Sequence, residues 1–246
     1  MIESIRKSFA AFSKMPFIFA WSSFMYLFLL GAVFFTALGI GMAYLIALSV
    51  FDQPVDLYST TSMAVFGILA LLFVFISSGL NASLARAYHS AFWREKTSLT
   101  VFFSFALRKA PEMFGIMLVR DLLWLVLAGP FIAIYIYFLS DIGLMDVLLG
   151  MYLLFITFVI HMVFTPAFIA AGAFGTELVS SLKHALVFLR KRHFFFMGLY
   201  AVFALVWLLN YVPFLNLVTL FFLYPVMYAA MIVMMEDTTK IERAEE

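Results

Sequence analysis

The sequence predicts an all-α integral membrane protein of six transmembrane helices arranged as three hairpins, and three observations lead there. Hydrophobic residues make up 66% of the 246 residues and charged residues only 12%, about half the charged share of an ordinary soluble domain. The apolar residues gather into six runs long enough to cross a hydrocarbon core of about 30 Å at about 1.5 Å per helical residue. Every Lys and Arg except Arg120 lies before the first run, between the second and third, between the fourth and fifth, or after the sixth. The positive-inside rule then puts both termini in the cytoplasm, and an even number of spans agrees. The expectation is a single multi-pass domain, residues 1–246, in a prokaryotic plasma (inner) membrane.

Each element follows in turn. Residues 1–15 read as a basic amphipathic helix suited to the membrane surface: Ile2, Ile5, Phe9 and Phe12 recur at helical spacing, with Arg6, Lys7 and Lys14 on other faces. No small-residue cleavage site follows the next apolar run, so it does not read as a signal peptide. Pro16 opens span one, which runs to about Val50 and exceeds the core thickness. Tilt, a break near Gly39-Ile40-Gly41 or a protruding end must absorb the excess. A polar loop with Asp52, Gln53, Pro54 and Asp56 leads to span two, about 61–80, whose helix continues through Arg86 to Arg94. Thr97 or Ser98 can cap a second amphipathic helix, 99–110, closed by Arg108-Lys109.

Spans three and four form a central hairpin turning at Ser140-Asp141-Ile142-Gly143. A third basic surface helix, about 177–192, ends in Arg190-Lys191-Arg192. Span five covers 194–209, Asn210-Tyr211-Val212-Pro213 make the turn, and span six ends near Met235 before a short charged tail, 237–246. Tyr44, Tyr58, Tyr135, Tyr137, Trp207 and Tyr211 are expected in the outer aromatic belt.

A pseudo-threefold repeat is visible over 1–96, 97–175 and 176–236. Each unit ends a basic helix just before an odd span (Lys14-Met15-Pro16, Lys109-Ala110-Pro111, Arg192-His193). Small residues hold matching places in the even spans: Ser77-Ser78-Gly79, Ala170-Ala171-Gly172 and Ala229-Ala230. The last two follow Pro166 and Pro225 at the same spacing. Any six-span protein also places basic residues at helix ends and small residues at helix contacts, so both readings stand. Mitochondrial carriers differ, since their surface helix lies between odd and even spans.

The stretch Thr165-Pro166-Ala167-Phe168 through Gly175, then Ser180-Ser181-Leu182 and the basic run, resembles poorly characterised prokaryotic multi-pass families. Among these is the membrane region that precedes the catalytic domain in some glycerophosphodiester phosphodiesterases. The resemblance covers mainly 158–236. It implies a membrane accessory role and brings no catalytic residues with it.

Arg120, Asp121 and His161 are ionisable groups inside long apolar runs. A charge at bilayer depth costs roughly 2.5–3.5 kcal/mol or more, so pairing, hydration or function must compensate. One reading is a site for an anion, a proton or a lipid headgroup. The other is an internal Arg–Asp pair, or Arg120 snorkelling to the interface. Arg108, Lys109, Arg190, Lys191 and Arg192 are expected to contact anionic lipid. With no Cys, disulfides and thiolate chemistry are excluded. His89, His184 and His193 lack metal-ligand spacing, so no metal or other cofactor is expected. No phosphate loop, metalloprotease helix or nucleophile elbow is present. The expected function is therefore non-enzymatic: a scaffold or accessory partner of membrane lipids and of another membrane protein or a second copy, with no nucleic acid. The alternative is a transporter or channel of ions, small molecules or lipids that uses the Arg120–Asp121–His161 cluster.

Overall fold

The computed structural model describes residues 2–51, 56–92, 95–139, 143–209, 212 and 215–245. The expected loop at Asp52-Gln53-Pro54, Arg94, the turn residues Ser140, Asp141 and Ile142, and Asn210, Tyr211 and Pro213 lie outside them. The described residues are helical and contain no strand. In chain order they form α1 (Ile2–Lys14), α2 (Pro16–Val50), α3 (Thr60–Phe92), α4 (Leu99–Ile134), α5 (Gly143–Ala173), α6 (Leu178–Leu208), α7 (Leu215–Val218) and α8 (Tyr224–Glu245). A π turn, Tyr135–Leu139, extends α4, and another, Thr219–Leu223, joins α7 to α8. Six helices are long and apolar enough to cross a membrane, so the chain is a polytopic membrane protein with six candidate spans.

Local chemistry explains several boundaries. Pro16 stands at the first turn of α2, where its missing N–H costs nothing. Ser98 caps α4 by accepting from the Val101 N–H at 3.3 Å. Gly175 has φ 70°, a left-handed conformation that glycine adopts freely. There the chain reverses, and the Thr176 N–H reaches the Ala170 carbonyl at 3.3 Å. Pro225 lies just past the second π turn, where the wider winding accommodates a residue that cannot donate.

The surface helices depart from expectation in instructive ways. The segment 99–110 is continuous with span three, because α4 passes through Pro111. Phe102, Phe105, Ala106, Lys109, Ala110, Met113 and Ile116 form one buried stripe that continues past the proline, and packing holds the helix through it. The basic segment at the start of α6 ends where expected: Arg192 has non-helical angles, φ −132° and ψ 15°, and kinks the helix. Helix α1 is separate, yet its expected apolar face is divided. Ser4, Ser8 and Phe12 are buried while Ile2 and Phe9 are exposed. Ser8 donates to the Val226 carbonyl of α8 at 2.6 Å, and Phe12 meets Phe222 edge-on. Lys7 binds Asp237 at 3.0 Å; that hydrogen bond, with the nearby charges of Asp237 and Glu3, raises the Lys7 pKa. Its contribution to stability is thus complete at neutral pH and is lost only as pH rises past the usual lysine range. The expected tail is helical, since α8 runs to Glu245.

The core sits at one end of the bundle, the end bearing the basic residues. In α3 the buried residues cluster over 78–91, in α5 over 160–173, and in α8 they run from Val226 to Met235. Within its apolar window the sixth candidate span, Leu215–Thr238, is 61% buried against 6% for α2, which makes it the enclosed span. Small residues permit the crossings. A Cβ on Gly79 would overlap the Ala106 carbonyl oxygen of α4, and one on Gly172 would lie 2.8 Å from Ala85 Cβ and 3.0 Å from the Ala82 carbonyl of α3. The other ends of α2–α3 and α4–α5 hold together pairwise, through Tyr44 to Ser62 and through Trp124 to Thr157, and leave many outward apolar side chains exposed.

Gly79→Ala and Gly172→Ala should each destabilise the protein by about 1–3 kcal/mol, the usual cost of overpacking. Gly31→Ala and Gly67→Ala, where an added Cβ meets nothing within 4 Å, should be neutral or slightly stabilising. Thermal unfolding in detergent separates the two pairs, and equal melting temperatures for all four would show that the crossings are not tight.

Candidate functional sites: a boundary charge pair, a basic rim and a tyrosine-lined cavity

Arg120 and Asp121 are brought together and His161 is placed beside them. Arg120 Nε and Nη2 both lie 2.7 Å from Asp121 Oδ1. The guanidinium also sits 5.7 Å from the centre of the Phe168 ring, within cation–π range. The Asp121 side chain is 53% exposed against 19% for Arg120, so the carboxylate faces outward. His161 lies within electrostatic range of both charges. Its Nδ1 donates to the carbonyl of Thr157, one turn back, at 2.9 Å, and Thr165 Oγ1 donates to its own carbonyl at 2.7 Å.

Depth changes the meaning of the cluster. His161 stands about eighteen residues from Gly143, the start of α5, or roughly 27 Å along a helix. That nearly equals the hydrocarbon thickness. With the Gly143 end at one boundary, the cluster reaches the other, where charge is hydrated at little cost.

The basic residues divide into two groups. Lys109 is turned inward and only 7% exposed. Its ammonium donates to Glu112 Oε1 at 3.2 Å and to the Thr176 carbonyl at 3.3 Å, tying α4 to the α5–α6 corner. That charge serves the interior and is not available to lipid. Arg108 is exposed, with its guanidinium 5.3 Å from the Phe105 ring that Arg86 approaches at 4.5 Å. Arg190 and Lys191 are exposed and Arg192 lies half-buried at the kink. Among the remaining histidines, His89 sits 3.7 Å from Glu236 of α8 and edge-on to Phe174, just past α5. Among the described residues no group of His, Asp and Glu could hold a metal ion.

A third site gave no sequence signal. Phe19, Tyr88, Tyr228, Tyr224, Phe203 and Tyr200 form a chain of ring contacts across the core, with centroids 5.2 to 5.9 Å apart. Beside it lies a cavity of about 170 Å³, lined by Ser23, Tyr26, Tyr88, Trp207, Tyr224 and apolar side chains. The Tyr88 hydroxyl is 2.8 Å from Ser23 Oγ, which in turn lies 3.3 Å from the Phe19 carbonyl. Neither this cavity nor the apolar groove beside Lys96 includes Arg120, Asp121 or His161.

Exchanging Arg108, Arg190, Lys191 and Arg192 together for Gln should lower anionic-lipid retention, at about 1 kcal/mol per basic residue near a charged surface. The expected effect of Lys109→Gln is different: stability falls by about 1.5–3 kcal/mol, as for hydrogen bonds to charged groups, with lipid retention unchanged. Lipid analysis of the purified protein and thermal unfolding measure the two effects. A scan against protein families, a search of curated proteins and a search of solved structures find no match for this chain.

Proposed function

We propose that this polytopic protein is a non-enzymatic scaffold or accessory partner that works through lipid and protein contacts. The observation that carries this is the division of the bundle. One end is closed by backbone crossings, while at the other end the α2–α3 and α4–α5 hairpins present uncovered apolar faces, including Phe35 at 69% and Val126 at 67% exposure. Such faces suit lipid or a neighbouring transmembrane helix. The outward carboxylate of Asp121 favours this reading over transport, which needs a hydrated path through the protein to that cluster. The accessory role implied by the resemblance over 158–236 points the same way. The reading takes α1 and the basic starts of α4 and α6 as cytoplasmic, and the chain breaks at Met15 and Arg192 as remnants of a repeated unit.

Photo-crosslinkers placed at Phe35 and Val126 in native membranes should yield discrete protein adducts, either with a second copy or with another membrane protein. Adducts with lipid alone would remove the scaffold role. Orientation is tested separately: Cys substitutions at Asp56, Asp141 and Tyr211 should react with an impermeant thiol reagent in whole cells, while Lys96→Cys stays silent. The reverse pattern would invert the topology.

A further inference from the structure

The tyrosine-lined cavity offers hydrogen-bond donors that the protein does not use. Ser23 donates to Phe19, so the Tyr88 proton is committed to Ser23. Tyr26 and Tyr224 line the same cavity, and their hydroxyls have no hydrogen-bond partner among the described residues. Both residues are half-buried, and a hydroxyl that leaves water without a partner is costly, so an occupant that displaces water here must supply acceptor oxygens.

Charge and shape narrow what that is. No Asp, Glu, Lys, Arg or His lines the cavity, so a phosphate or an ammonium would enter without a counter-charge. The rings of Tyr88 and Tyr224 already pack against Tyr228, and Tyr224 also meets Phe203, which leaves little open aromatic face for a cation. A neutral group with carbonyl or hydroxyl oxygens satisfies both tyrosines at no charge cost. A volume of about 170 Å³ holds five or six waters at about 30 Å³ each, room for a headgroup and not for an acyl chain.

Access comes from the side. Trp207 lines the cavity and is 47% exposed. Helices α2 and α6, which flank it, do not pack extensively on one another among the described residues. A lipid could thus place its head inside while its chains stay in the bilayer.

We propose that this cavity binds the uncharged glycerol-ester head of a neutral membrane lipid, through hydrogen bonds donated by Tyr26 and Tyr224. The site is independent of the scaffold reading, since its occupant does not touch the uncovered faces of the hairpins.

The test uses the full chain with Trp207 as its one tryptophan (Trp21→Phe, Trp93→Phe, Trp124→Phe), reconstituted in phosphatidylcholine vesicles. Brominated diacylglycerol should quench Trp207 saturably, and unbrominated diacylglycerol should compete. Adding Tyr26→Phe and Tyr224→Phe keeps the rings and removes the donors, and should weaken half-saturation about tenfold or more. If that double variant does not fold, Tyr26→Phe alone should weaken it about threefold. Quenching that never saturates, that brominated phosphatidylglycerol matches, or that ignores loss of the hydroxyls would overturn the proposal and leave a water-filled cavity. Crosslinks from Phe35 and Val126 are expected in either case, so failure here does not decide the scaffold question.

Discussion

The bundle depends on how closely the backbone of α3 approaches its neighbours. Gly79 lies against the Ala106 carbonyl of α4, and on an adjoining face Ala82 and Ala85 receive Gly172 of α5. At this end close packing and hydrogen bonding act together to hold the helices. Small residues give both. They bring Ser83 Oγ within 2.7 Å of the Phe102 carbonyl. They also fix the α5–α6 corner where the Lys109 ammonium reaches the Thr176 carbonyl. Once α4 and α5 are packed on α3 and on each other, the remaining space at that end is filled by α8.

This constraint acts at one end only, and the asymmetry follows from composition. Over 78–91, α3 carries Ser78, Gly79, Ala82, Ser83, Ala85, Ala87 and Ala91, all buried. Toward its other end, Met63, Ile68, Leu71 and Leu72 are exposed. Bulky side chains hold backbones apart, so the far halves of the hairpins pair locally and leave their outer faces to lipid. The same protein is therefore rigidly crossed at one end and loosely paired at the other.

Six spans were legible because length and apolarity are local properties. So were the Ser98 cap, the break after Lys14 and the kink at Arg192, each marked by residues within a turn of the event. Other features depended on a partner element. Helix α4 continues through Pro111 because its buried stripe meets α3 and α5, and nothing within 99–116 announces that. Lys109 reads as a surface charge until the α5–α6 corner is placed over it. Ser4 and Ser8 read as the polar face of an amphipathic helix, whereas their small size suits them to α8. Arg120 and Asp121 are adjacent, and adjacent helical residues do not face one another. Their pairing relies on the length of the arginine. The tyrosines were the least legible. Aromatic residues serve membrane interfaces and packed cores alike, and Tyr26, Tyr88 and Tyr224 converge from three separate helices.

The polar interior follows one chemical rule. Apart from Lys109 and the tyrosines, every buried polar side chain among the described residues is a serine or threonine. Ser22, Ser23, Thr219 and Thr238 bond a carbonyl one turn back on their own helix, which lets a hydroxyl be buried without a neighbour. Ser8 and Ser83 reach across to other helices instead. Lys109 is tolerated because a carboxylate and a carbonyl both meet it. Charge is otherwise kept to the rim, where Asp121 faces outward and the exposed arginines lie. The tyrosines depart from this economy: tyrosine is too long to bond its own preceding turn, so its hydroxyl must find a partner elsewhere, as Tyr88 does at Ser23. A cavity whose polar lining is hydroxyl and carries no formal charge would discriminate among ligands by dipole and not by charge.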